Sequence, residues 1–172
     1  MRRLTTFVLV SMMVAAGAWG GELEGVKMPD QVTVSEDTLQ LNGMGVRKKL
    51  WIEVYVAGLY LPSTSSDPGE ILAMEGPKRL VMHFLTDKAT KKKMDNAWDD
   101  GFEGNSPGVV DELGSRIERF KGFFGDMKDG DVIEMTILPE EGTKVVLNGA
   151  EKGTIEGDNF ARALLKIYLG EK

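Results

Sequence analysis

From Gln31 onward the chain alternates apolar and polar side chains in short runs. Gln31 to Val34 and Thr38 to Leu41 predict two strands joined by the polar turn Ser35-Glu36-Asp37, the second running directly into Asn42–Leu61. Within that stretch Leu50, Ile52, Val54 and Val56 occupy alternate positions, the period of a strand with one face on a core. A long inner strand is expected. The other parity, Trp51, Glu53, Tyr55 and Ala57, is mixed in polarity, as the lining of a cleft would be. Gly43 and Gly45 predict a tight turn just before Arg47 that fixes where its guanidinium points.

Further along, Asp67-Pro68 supplies a cap and first-turn proline for a short helix around Glu70 to Met74, stopped by Gly76-Pro77. Arg79 to Leu85 reads as a strand. Asp87 to Gly104 reads as a helix with Met94, Trp98 and Phe102 four apart, and a second helix is predicted from Pro107 to about Phe124. Strands follow at Asp131–Leu138, Thr143–Leu147 and Gly153–Ile155, with Asn148-Gly149 as a tight turn. A closing helix starts at Gly157-Asp158, carries Phe160, Leu164, Ile167 and Tyr168 on one face, and ends before Gly170. These elements make an α+β domain, a mostly antiparallel sheet with helices packed on one face.

The first twenty residues have a different pattern. Arg2 and Arg3 precede an apolar run from Leu4 to Val14, and Ala16-Gly17-Ala18 or Ala18-Trp19-Gly20 offers small residues for cleavage. The run is shorter than the ~20 residues a spanning helix needs. Residues 1–20 are therefore expected to be a cleaved signal peptide and 21–172 one domain, periplasmic or secreted, with no stable membrane span after cleavage. A cysteine-free chain suits a bacterial periplasm.

Composition narrows the chemistry. The net charge is −6, and removing Arg2 and Arg3 makes the remainder more acidic still, which argues against nucleic acid as a partner. There is no cysteine, one histidine (His83), no phosphate-binding glycine loop, no GxSxG and no metal-spaced cluster, so neither metal nor cofactor is expected. His83 has no second ligand or catalytic partner nearby in sequence and is assigned to packing. Lys91-Lys92-Lys93 fan out around a helix and are assigned to a solvated face. What remains is a fixed cation, Arg47, beside an apolar cleft. A guanidinium there can hold a carboxylate or phenolate through paired charge-assisted hydrogen bonds, and it cannot serve as a general acid.

GxGxR followed by a strand ending in GLYLP resembles the opening of the chalcone isomerase fold, especially its bacterial chalcone isomerase-like branch, which has plant fatty-acid-binding relatives. GVKMPDQVTV, LQLNGMGVRKKL, GPKRLVMHF, KDGDVIEMTILPEEGTKVVLNG and GTIEGDNFARALLKIYLG are similar to that branch in the same order, so the resemblance covers the chain after the leader. It implies an open-faced β-sandwich with a cleft beside the long strand. In the enzymes the matching arginine holds a phenolate, helped by tyrosine, threonine and asparagine; in the fatty-acid binders an arginine and a tyrosine hold a carboxylate. Carried over, Arg47 matches the arginine, Asn96 in KKMDN matches the asparagine, and Tyr55 falls where the catalytic threonine would be. Ala89 falls where the enzyme's tyrosine would be, and Ile167 and Tyr168 replace the ligand-contacting pair of the last helix.

The expected function is therefore a non-catalytic domain that binds a small amphipathic anion such as a fatty acid through Arg47, with Tyr55 and Asn96 as helpers. Two alternatives stand beside it. One is an intramolecular lyase of chalcone isomerase type with Arg47 as its catalytic residue; the other is a structural or partner-binding envelope protein whose partner the sequence does not name. A bland role for Arg47, an ion pair with Glu53, is also open at this point.

Overall fold

A computed structural model describes residues 19–169. The expected leader falls on residues 1–18, outside the described residues, and on Trp19 and Gly20, which already belong to the first strand. Gly170, expected to stop the last helix, also lies outside.

Seven strands form one antiparallel sheet whose spatial order is the chain order: β3 (Gln31–Val34), β4 (Asp37–Lys49), β5 (Ile52–Leu61), β6 (Lys78–Phe84), β7 (Val132–Leu138), β8 (Gly142–Leu147) and β9 (Ala150–Ile155). Each strand pairs with the next, so the sheet is a meander interrupted by helices. The short α1 (Pro68–Ala73) lies between β5 and β6, with the Asp67 carboxylate accepting from the Glu70 N–H as its cap. Between β6 and β7 come α2 (Lys91–Asn105) and α3 (Val110–Lys121), the latter entered through a 3-10 turn at Pro107–Val109. The chain closes with α4 (Asp158–Leu169). This is the expected α+β arrangement.

Helical spacing explains the main core. Met94, Trp98 and Phe102 of α2 and Leu113, Ile117 and Phe120 of α3 are buried together with Phe160 and Leu164 of α4. Their rings meet edge to face: Trp98–Phe120 at 4.9 Å between centroids and Phe120–Phe160 at 5.5 Å. Beneath them lie Leu80, Met82 and Phe84 of β6 and Ile133 and Met135 of β7. Lys121, nearly buried, is held by Asp99 at 2.8 Å and Glu118 at 2.6 Å, so its ammonium is not stranded in this layer. The three lysines at the start of α2 are exposed, as expected, and Lys91 pairs with Asp95.

The opposite face of the sheet carries a second, smaller core. Val34, Leu39, Val56, Tyr60 and Val81 are covered by a hairpin of β1 (Trp19–Leu23) and β2 (Val26–Pro29), mainly through Met28. The Tyr60 hydroxyl donates to the Pro29 carbonyl at 3.0 Å, and burial pushes its pKa up to about 12. His83 lies on this face, opposite Val56 and Val132 in the ladder, where burial lowers its pKa.

Three expectations are corrected. Asn42 to Lys49 is not a turn leading into one long strand. It is the second half of β4, and the chain reverses at Leu50-Trp51, so that Lys49 pairs with Ile52 and Arg47 with Tyr55. Neither Gly43 nor Gly45 has a positive φ, whereas Leu50 has φ 58°. The apolar alternation was misleading because Leu50 is a turn residue and not a core residue. Second, α2 begins at Lys91 and not at Asp87, because Ala89 bridges to Met127 and the Lys91 N–H is capped by Asp126, a partner remote in sequence, at 2.7 Å. Third, β1 and β2 were not anticipated.

The tight turns make a testable contrast. Gly149, after Asn148, has φ 78° with open space around it, whereas Gly142 has φ 114° and a Cβ built on it would lie 2.4 Å from the Ile155 carbonyl oxygen. Gly149→Ala is expected to cost about 1 kcal/mol from the left-handed conformation alone. Gly142→Ala should cost clearly more, because backbone must also move. Urea unfolding of the two variants checks this, and equal losses would contradict it.

Candidate functional site

Beside the β4–β5 pair lies a cleft of about 380 Å³. Its construction follows from strand parity. After an irregularity at Leu41/Gly43, β4 turns Met44 and Val46 toward the smaller core, and Gly43, Gly45 and Arg47 line the cleft. Two of those three positions have no side chain. Nothing lies within 4 Å of a Cβ built on Gly43 or Gly45, so the glycines leave the space that the cleft occupies. On β5 the lining residues are Tyr55, Ala57 and Leu59, the mixed parity that the sequence suggested. Leu80 of β6 and Ile167, Tyr168 and Leu169 of α4 complete it. The last turn of α4 lies close to α2 because Gly101 has no side chain; a Cβ there would meet Ile167 at 3.0 Å.

Arg47 and Tyr55 lie toward the hairpin, Ala57, Leu59 and Leu80 line the middle, and Asn42 adds an amide toward the other end. Among the described residues, Arg47 is the one charged side chain in the lining. It is exposed and, among the described residues, makes no hydrogen bond or ion pair. Glu53, its candidate ion-pair partner, is taken by Lys48 at 2.7 Å, which lowers the Glu53 pKa and raises that of Lys48. Tyr55 stands opposite Arg47 in the ladder, with its ring 5.6 Å from that of Phe84. Burial raises the Tyr55 pKa, partly offset by the Arg47 charge and by hydrogen bonding with Tyr168. The Tyr168 phenol is pushed well up by burial and by Tyr55, and its hydroxyl is 3.2 Å from the Met82 sulfur. Both phenols therefore remain protonated near neutral pH. The single Tyr168 proton is engaged with its neighbours, so the guanidinium and the Tyr55 hydroxyl are the donors that can hold an anion. Among the described residues, no carboxylate, imidazole or thiol lines the cleft to move a proton.

The family model described as chalcone isomerase-like matches residues 20–172. The chain belongs to the chalcone isomerase-like family. Among solved structures, the crystal structure of an Arabidopsis thaliana fatty-acid binding protein is similar, with 16% sequence identity, a TM-score of 0.68 and 86% of each chain covered. At that identity the likeness establishes the fold: the curled antiparallel sheet with packed helices is the chalcone isomerase-like α+β fold. A search of curated proteins found no match.

The family-based positions divide clearly. Arg47 and Tyr55 share the cleft, directly across a ladder rung, because the chain reverses between them. Ile167 and Tyr168 line it too. Asn96 does not. It is exposed and lies about 200° around α2 from both Met94 and Trp98, the residues that face the core, so it points to solvent. Its match to the family asparagine was one of local sequence, and the helix phase overrides it. Ala89 is buried away from the cleft and brings no hydroxyl. Among the described residues, no group of three or more His, Cys, Asp or Glu is placed to hold a metal.

The missed feature is the role of Gly43 and Gly45. Their signal was available, since glycines at alternate positions beside Met44 and Val46 read as a strand with one bare face. Gly45→Leu should therefore fill the cleft while leaving thermal unfolding unchanged or slightly raised, because the side chain enters open space and leucine suits a strand better than glycine. Emission of anilinonaphthalene sulfonate, an apolar anion, is expected to rise with the wild type and not with the variant. Equal emission from both would place the dye elsewhere.

Proposed function

We propose that this chain is a non-catalytic binding domain for a small amphipathic anion, a fatty acid in the first instance. Arg47 holds the head group and the apolar cleft takes the chain. The observation that carries this reading is the Arg47 guanidinium, without an ion pair among the described residues, beside two protonated phenols in a cleft whose other described lining residues are apolar save Asn42. Its size, about 380 Å³, falls within the range of small-molecule sites. The similar Arabidopsis structure, titled a fatty-acid binding protein, supports the ligand class. The described lining favours binding over turnover, since among the described residues it offers no carboxylate, imidazole or thiol to transfer a proton and Ala89 supplies no phenol to polarise a ketone.

Titration of a fluorescent fatty acid tests the reading. Arg47→Lys keeps the charge and loses the planar fork, so affinity is expected to fall by about 1 kcal/mol, near the low end for charged hydrogen bonds because the site is exposed. Asn96→Ala should bind as the wild type does, and thermal melts of both variants should match it. No saturable binding, or equal affinity for Arg47→Lys, would remove Arg47 from the site. Cyclisation of a chalcone well above the uncatalysed rate, abolished by Arg47→Ala, would overturn the non-catalytic part.

We infer also that the protein is exported, from Arg2 and Arg3, the apolar run Leu4 to Val14 and the small residues after it. Intact mass of protein recovered from an envelope fraction should lack roughly the first 20 residues. Recovery with Met1 retained would favour a membrane anchor.

A further inference from the structure

Leu50 and Trp51, the two residues that turn β4 into β5, are 80% and 83% exposed, the large hydrophobic side chains left most open among the described residues. Folding gives no reason for either. The loop has two residues, and its first position takes φ 58° while its second is not left-handed, the geometry in which glycine is the ordinary choice at the first position. Leucine there strains the backbone and puts an apolar side chain into water. The sequence keeps both costs at one point, and the ladder rung Lys49–Ile52 would close equally well over a polar turn.

The charge around the tip is also unlike the rest of the chain. The whole protein is acidic, at −6, yet Arg47, Lys48 and Lys49 are consecutive cations leading into the tip. Glu53 and Glu24 face this group, and both are engaged with Lys48. Arg47 and Lys49 have no ion-pair partner among the described residues. A projecting tryptophan and leucine with lysine beside them fit the boundary of a bilayer, where indole rings sit at the headgroup level, alkyl side chains pass below it and lysines contact anionic lipid.

We propose that the β4–β5 tip is a docking element for an anionic lipid surface, with Leu50 and Trp51 entering the interface and Lys49 against the head groups. Arg47 is three residues from the tip, about 10 Å along the strand. Docking would therefore bring the polar end of the cleft close to the lipid. The proposal does not rest on what the cleft binds, and its test contains no added fatty acid.

The experiment follows Trp51 in the protein as recovered after export, carrying Trp19→Phe where residue 19 is retained, with the buried Trp98 as a constant background. Vesicles of phosphatidylcholine containing phosphatidylglycerol should shift the emission to the blue, shield it from acrylamide, and allow quenching by brominated acyl chains; phosphatidylcholine alone should do much less. Leu50→Gly relieves the turn, so its melting temperature should equal or exceed the parent's, while the lipid needed for half-maximal quenching rises about tenfold, as expected for losing one large apolar side chain from the interface. Lys49→Glu should weaken the anionic-vesicle response with the fold intact. Trp51 emission that stays red and open to acrylamide beside anionic vesicles would overturn the proposal. So would insertion that ignores phosphatidylglycerol and Lys49→Glu alike, or a Leu50→Gly chain that inserts as the parent does.

Discussion

The antiparallel pairing of β4 with β5 is the constraint on which the site depends. It sets Arg47 opposite Tyr55, aligns Gly45 with Ala57, and brings the bare face of one strand alongside the mixed face of the other. A slip of one residue would exchange the faces of β4, turning Met44 and Val46 into the cleft and Arg47 toward the smaller core. That register is therefore fixed twice over. Met44 and Val46 hold it by burial on one side, and the irregularities at Leu41/Gly43 and Arg47/Lys48 adjust its phase at both ends of the cleft.

Electrostatics around the pair then decide which cation is available. Lys48 and Arg47 are adjacent in sequence, and the register shift between them sets Arg47 opposite Tyr55 and Lys48 opposite Glu53. Lys48 takes up Glu53 and Glu24, which leaves Arg47 without an ion pair among the described residues, beside two phenols that burial keeps protonated. Had Glu53 paired with Arg47, the head-group site would have been neutralised from within. The exposed Lys48–Glu53 pair adds little to stability, yet it determines where the free charge sits.

Much of the architecture was legible from periodicity. The helical faces of α2, α3 and α4, the Asp67 cap and the Asn148-Gly149 turn are local patterns, and local patterns are what a sequence displays. The cleft face of β5 was legible for the same reason. Two of the misses are cases in which a remote partner decides. Leu50 looks like a core residue because it continues an apolar alternation, and only the pairing of Arg47 with Tyr55 reveals it as a turn. Lys91 starts α2 because Asp126 caps it from 35 residues away. Asn96 matched a family motif by its neighbours in sequence, while its position relative to the cleft depends on the phase of α2, which Met94, Trp98 and Phe102 already displayed. The family resemblance identified the fold and two cleft residues, and helix phase should have limited how far it was carried.

The two cores explain why a cleft opens at this place. The wall made by α4 belongs to the main core through Phe160, Leu164 and Leu165; the wall made by β4 belongs to the smaller core through Met44 and Val46. Only β5 and β6 lie between them, contributing Ala57, Leu59 and Leu80 to the lining. Beyond Leu41, moreover, whose N–H donates to the Asp30 carbonyl, β4 has lost β3 as a neighbour and its ladder partner is β5. Each wall is thus fixed to a different packed layer, and neither layer needs the other wall in place to close. Filling the space would require a side chain from β4, and glycine at Gly43 and Gly45 withholds it. The cavity is a direct product of the sequence pattern, since a chain that put leucine or valine at those two positions would fill the space between β4 and α4 and have no cleft to offer.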